Sequence, residues 1–471
     1  MNLRNKNPGS KSQLTFHFLS RLLPSLSFLF LFYFIFFSST TLGQTTQPVT
    51  ISILTPHTEE VRTEFSILFQ NWYRQKYGKP VFLDWRNVGG SSDTLRFIRS
   101  EYASKPEGIG LDILFGCGID PYYDLKAEGI LASTLLRNET LLSIPASHQG
   151  TLLRDPDSYW YGVTIATFGI LHNLRVLNYN DLPQARRWSD LAGPELQGWV
   201  SLSDPRNSGS MYSMMEAILQ FYGWKKGWWI LTGMAANSES IGRYATDPPR
   251  QTTYGNSASS ICIDFYGFTQ VLGAGKENML FVIPEDFFIL SPDCIALLKG
   301  APEPTVARQF IELVLSEEGQ KVWMLPLGVP GGPSKASLLR MPVRKDVYEK
   351  YPDYSPLTVS PYESQKDVKE NSEPEFHFNN ELAYKRRDVV CALIGAQLID
   401  THQELSAAWI EAIRSGKSSE ALKQLGAPLV SEEKVEKILQ EEWLVPAQRN
   451  RLKISWQKQA QDRYRSLRSA F

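Results

Sequence analysis

Between residues 49 and 115 the chain switches repeatedly between two hydrophobic periods, and this limits the fold more than any other feature. Val49–Leu54 (VTISIL) alternates with period two, as a half-buried strand does. Residues 59–77 then place Val61, Phe65, Leu68, Phe69 and Trp72 at helical spacing, and Gly78 stands where a helix terminates. Residues 81–88 return to strand character. Gly89-Gly90-Ser91-Ser92 makes a turn into a helix over 93–103, and residues 111–115 form a short apolar strand. A β-α-β-α-β series of this kind predicts a parallel sheet covered by helices.

A second set begins after Trp160. Residues 161–173 (YGVTIATFGILHN) form a long strand without a charge, followed by a strand at 198–202, a loop at 204–209 and a helix to Tyr222. Short strands are expected at 261–264, 279–283 and 295–298, then a helix at 304–315 that continues to Trp323. The chain therefore builds one α/β lobe, crosses to a second and returns. Two such lobes enclose a cleft, a favoured place for a ligand. The expected organisation is a leader at 1–43, the first lobe at 44–160, the second at 161–283 and a return to the first at 284–350. A linker at 351–375 and a helical C-terminal extension at 376–471 complete it.

The N-terminus carries Arg4, Lys6, Lys11 and Arg21 with no acidic residue before Glu59, then the apolar run LSFLFLFYFIFF over 26–37 and a short polar stretch. This three-part layout is that of a cleavable secretory signal, with mature protein expected from near Gln44 and a periplasmic destination. Removing the four leader cations takes the net charge from −1 to about −5. That balance argues against a nucleic-acid partner, which calls for a basic face. Four cysteines, Cys117, Cys262, Cys294 and Cys391, lie far apart with no Cys-x-x-Cys. They read as buried thiols, and Cys262 with Cys294 is the pair to consider if one bridge forms.

Several stretches resemble the family 1 extracellular solute-binding proteins, near their ferric-iron-binding branch. They include VTISILTPHTEE, VGGSSDTLRFI, DILFGCGIDPYYDLKAEGIL, WVSLSDPRNSGSMYSMMEAIL, ICIDFYGF and LLKGAPEPTVARQFIELVLSEEGQ. The last is the most specific, with Ala307, Phe310, Ser316, Glu317, Gly319 and Gln320 in the usual order. The resemblance implies a type 2 periplasmic-binding-protein fold of two hinged α/β lobes. It also implies a monomer that closes around a small-molecule ligand and docks to ABC permease subunits of the inner membrane. The C-terminal helices exceed what that fold needs.

Two glycine–serine helix starts are the leading site features: Gly90, Ser91 and Ser92 in the first lobe, and Ser208, Gly209 and Ser210 in the second. Free N–H groups and the positive dipole end at such positions attract anions, and glycine lets a ligand reach the backbone. Ser208 is expected to cap its helix and leave the N–H groups of Gly209, Ser210 and Met211 to a ligand. Gly116 and Gly118 bracket the end of the third strand. Thr164 lies in the crossing segment, and Trp160, Tyr161 and Asn237 are further cleft candidates. The resemblance sets His57 where iron-binding members keep a ligating His, and Asp264-Phe265-Tyr266 where they keep paired tyrosines. One of that pair is Phe265 here, so His57 and Tyr266 alone would hold a metal. Ferric iron, the one metal the resemblance brings in, wants more hard oxygen donors than that. The chain carries no GxSxG or HExxH, so an enzyme is not expected. The reading is capture of a small anion. The alternatives are a ferric ion or iron complex, an exported hydrolase, and a ligand-sensing partner of a membrane receptor.

Overall fold

The computed structural model describes residues 48–148, 150–354, 361–362 and 376–471. The leader at 1–43 and most of the linker at 351–375 lie outside the described residues. Among the described residues the main sheet has eleven strands, two of them the two-residue strands Leu131–Ala132 and Met341–Pro342. The other nine are β1 Val49–Leu54, β2 Val81–Arg86, β3 Ile113–Phe115, β4 Tyr161–Asn173, β5 Val200–Ser203, β6 Ser238–Gly242, β7 Ser259–Ile263, β8 Met279–Val282 and β9 Leu290–Leu298. Their order is β2-β1-β3-β9-β4-β7-β5-β6, with β8 also paired to β4. The helices used below are α1 Glu59–Tyr77, α2 Ser91–Ser104, α3 Asp120–Ala127, α4 Gly209–Tyr222, α5 Trp224–Ala236, α6 Asp264–Ala274, α7 Pro304–Leu315, α8 Glu317–Met324 and α9 Asn380–Ile394.

The first lobe is the expected parallel unit. β1 pairs in parallel with β2 and β3. Period-two alternation then sends neighbouring residues to opposite cores. Ile113, Phe115, Ile295 and Leu297 join one cluster with Phe65 and Phe310, while Leu114, Cys294, Ala296 and Leu298 join another with Ile98 and Trp160. Both faces are thus covered by helices, which is why β3 and residues 294–298 of β9 lack charged positions.

β4 makes the crossing. All thirteen of its residues are buried. Tyr161 to Thr167 pair with β9, whereas Phe168 onward pairs with β7 and β8. At that change of partner the Thr167 N–H donates to Asp264 Oδ2 at 3.0 Å, so α6 supplies an acceptor beside the switch. β9 is longer than its sequence suggested. Pro292 and Asp293 interrupt the apolar run, and the register shifts between Asp293 and Cys294.

The C-terminal helices share one core with the second lobe, in which Met215 and Trp228 meet Leu393, Trp409 and Tyr464. Trp224 Nε1 donates to the Val430 carbonyl at 2.9 Å. Arg386 of α9 reaches the fully buried Glu216 of α4 through Nε at 2.9 Å and Nη2 at 2.6 Å. α9 also touches the first lobe: Tyr384 donates to Asp124, and Asn380 Nδ2 to Thr151 Oγ1 at 3.1 Å.

Candidate functional site

The two glycine–serine helix starts come together. α2 follows β2 with Gly90 at its N-cap and no side chain closing its first turn, so Ser91 and Ser92 occupy the first two helical positions. α4 follows β5 with Ser208 at its N-cap. A Cβ placed on Gly209 would stand 3.9 Å from Ser91 Cβ and 4.0 Å from Ser91 Oγ. A Cβ on Gly90 would stand 3.4 Å from the Asn207 carbonyl and 3.6 Å from the Tyr244 ring. Two positive dipole ends from opposite lobes therefore meet at one place. Ser208 Oγ accepts the Met211 N–H at 3.2 Å, so Met211 is spent on the cap and the free donors are those of Gly209 and Ser210. A separate cavity of about 10 Å³, room for about one water, lies behind Ser210 and Met211 against Phe168, Ala245 and Ile261 of the second lobe.

A second polar group sits at the C-terminal ends of β1 and β3. Gly116, Cys117 and Gly118 all have positive φ, at 103°, 88° and 70°. Glycine is needed at 116 because a Cβ there would lie 3.1 Å from His57 Nε2 and from Pro56. His57 is buried, its Nδ1 is 3.3 Å from Arg340 Nη1, and its Nε2 has no hydrogen-bond partner among the described residues and stands 3.8 Å from Asp293 Oδ2. Arg340 Nη2 donates to Asp293 Oδ2 at 2.7 Å, and the Gly118 N–H to Asp293 Oδ1 at 3.1 Å. The Arg340 guanidinium lies 3.9 Å from the centre of the Phe265 ring, which itself packs against Tyr266 at 4.4 Å. Burial lowers the His57 pKa to about 4, against the pull of Asp293, so the ring is neutral. The Arg340 charge beside Asp293, with His57 next, holds that carboxyl below its usual range despite burial. Burial pushes the Cys117 thiol up to about 12.

Residues 112–362, more than half of the chain, match the family model of the bacterial extracellular solute-binding proteins. The chain belongs to that family. The phosphoglycerate transport regulatory protein PgtC of Salmonella typhimurium is 29% identical over 180 residues, 38% of this chain and 44% of that protein. The solute-binding chain thus spans less than half the length of that relative. The periplasmic binding protein P5PA superposes with a TM-score of 0.58 at 17% identity, over 74% of this chain and 99% of that one. AfuA from Actinobacillus pleuropneumoniae, solved with fructose-6-phosphate bound, gives 0.56 at 18%, over 78% and 99%. Apo ferric ion-binding protein A of Pasteurella haemolytica gives 0.53 at 17%, over 73% and 96%. The fold is that of the two-lobed solute-binding proteins of ABC importers.

Within this solute-binding protein the remaining sequence candidates fall in different places. Asn237 is core: fully buried, its Nδ2 donates to the carbonyls of Leu191 and Gly193 at 3.0 and 2.7 Å, and its Oδ1 accepts from Trp409 Nε1 at 2.7 Å. Trp160 and Tyr161 are core as well. Asp264 has both oxygens on backbone N–H groups, Thr167 at 3.0 Å and Phe265 at 2.6 Å, which makes it a support of the crossing. Thr164 is buried, and its Oγ1 has no hydrogen-bond partner among the described residues. All four cysteines are free and buried, so Cys262 and Cys294 are not bridged. Among the described residues no three His, Cys, Asp or Glu side chains are grouped to hold a metal. Sequence reasoning missed Asp293, Arg340 and also Arg387, whose Nη2 lies 3.8 Å from the Cβ position of Gly209. The lone charge of Asp293 inside the apolar β9 was a usable signal. Arg340 and Arg387 had none, because their partners are remote in sequence.

Proposed function

We propose that this solute-binding protein captures a phosphorylated small molecule between its lobes and delivers it to an ABC permease. The observation that carries the reading is the meeting of α2 and α4, with Ser91 about 4 Å from the Cβ position of Gly209. Two helix N-termini from separate lobes offer N–H donors and positive dipole ends to one anion, which would then hold the lobes together. Fructose-6-phosphate in AfuA and phosphoglycerate in the name of PgtC are ligands of this chemistry. In this reading the leader at 1–43 is cleaved and the protein works in the periplasm.

The iron alternative meets a charge already in place. Arg340, only 4% exposed, sits against His57, Asp293 and Phe265, so its fixed cation stands beside one of the two residues named for a ferric ion and against the neighbour of the other. A trivalent ion there would face that cation, and the one carboxylate at hand, Asp293, already accepts from Arg340 and from the Gly118 N–H. The hydrolase alternative lacks an activated nucleophile at this place, since burial keeps Cys117 a thiol at neutral pH.

The test is a thermal-shift panel on protein unfolded and refolded to strip carried ligand. Fructose 6-phosphate or 3-phosphoglycerate should stabilise the fold, by about 2.7 kcal/mol at roughly a hundredfold over Kd, and fructose should not. Stabilisation by ferric citrate or by fructose alone would defeat the reading.

A further inference from the structure

We infer that Arg387, carried by the C-terminal helices, is the third arm of the anion site and contacts the ligand directly. The inference rests on the phosphate-ester reading above. Arg387 Nη2 lies 3.8 Å from the point where a Cβ on Gly209 would stand, and Ser91 Cβ and Oγ lie 3.9 and 4.0 Å from that same point. Three separate elements, α2, α4 and α9, thus converge there. The Arg387 side chain is 16% exposed and lies over the Tyr212 ring at 5.7 Å, so most of its hydration has been removed.

Its partners do not account for it. Among the described residues it makes no hydrogen bond, and its one ion pair is with Asp120 of α3 at 3.8 Å, too long for a hydrogen bond. The adjacent Arg386 shows the contrast, with bonds to Glu216 and Glu432. A mostly desolvated guanidinium with uncommitted N–H donors, beside two helix N-termini, fits a phosphate. Its planar fork matches two phosphate oxygens, and such bonds are charge-assisted. The matched family region ends at residue 362, so this contact comes from a part of the chain beyond it. The competing role for Arg387 is a bridge to Asp120 that fastens α9 to the first lobe.

The experiment is calorimetric titration of full-length wild type, Arg387→Gln, Arg387→Lys and Asp120→Asn with fructose 6-phosphate and 3-phosphoglycerate, at low and high salt. Melting curves without ligand check that each variant is folded. Arg387→Gln should weaken binding roughly ten- to a hundredfold and flatten its salt dependence, and Arg387→Lys should recover part of the loss. Asp120→Asn should bind as well as wild type or more tightly, because a carboxylate competing for the guanidinium is gone. If Arg387→Gln is unfolded, Arg387→Lys and Asp120→Asn carry the test. Unchanged affinity in Arg387→Gln, or weakening by Asp120→Asn as large as by Arg387→Gln, would overturn the inference and leave the phosphate reading standing. Failure of wild type to bind either ester would overturn both.

Discussion

Replacing His57 by Gln and Asp264 by Asn should tilt the pH dependence of stability in opposite directions. Burial lowers the His57 pKa from 6.5 to about 4. Between those values the unfolded chain takes a proton that the folded chain refuses. Its contribution is therefore present above 6.5 and is lost as pH falls toward 4, by about 3 kcal/mol at 1.36 kcal/mol per pKa unit. Burial raises Asp264 from 3.8 to about 7, against its bonds from the Thr167 and Phe265 N–H groups. There the folded chain keeps a proton that the unfolded chain has released. That contribution is present below 3.8 and is lost as pH rises through about 7, by about 4 kcal/mol. The two nearly cancel in wild type between pH 4 and 6.5. Urea unfolding from pH 4.5 to 7.5 separates them. The margin of wild type over His57→Gln should shrink on acidification, and its margin over Asp264→Asn should shrink on raising the pH. Margins that stay constant across this range would refute the assignment of buried, shifted groups at these two positions.

Two further substitutions separate structural from site roles. Asn237→Ala should lower stability by about 3 kcal/mol or more, because Trp409 Nε1 and two carbonyls lose a buried partner, while ligand affinity stays at the wild-type value in titration. Arg340→Gln should cost about 3–5 kcal/mol in urea unfolding, since Asp293 is left charged and buried, and it should raise the His57 pKa measured by NMR.

The strand and helix order was legible where one period ran long enough. β4 and the first lobe carry continuous apolar or amphipathic patterns, and Gly78 ends α1 in the left-handed conformation its sequence suggested. α5 was overlooked because WKKGWWILTGMAA is apolar nearly all round, being covered by the second lobe and the C-terminal helices together. The first half of β9 was overlooked because Pro292 and Asp293 break its alternation. At the site, the helix starts could be recognised locally, since glycine and serine at a strand-to-helix turn carry meaning by themselves. Their meeting could not, because it depends on how the lobes approach. Arg340 and Arg387 are arginines among many, and only the contacts to Asp293 and to the Ser91–Gly209 junction distinguish them. Asn237 and Asp264 were polar residues that the fold itself consumes.

The most direct measurement is a crystal structure of the full-length protein with fructose 6-phosphate. The account predicts phosphate density between the first turns of α2 and α4, within hydrogen-bonding distance of Ser91, the Gly209 and Ser210 N–H groups and Arg387. Density for the phosphate elsewhere on the protein, or a metal ion between His57 and Tyr266 with the junction of α2 and α4 unoccupied, would contradict it.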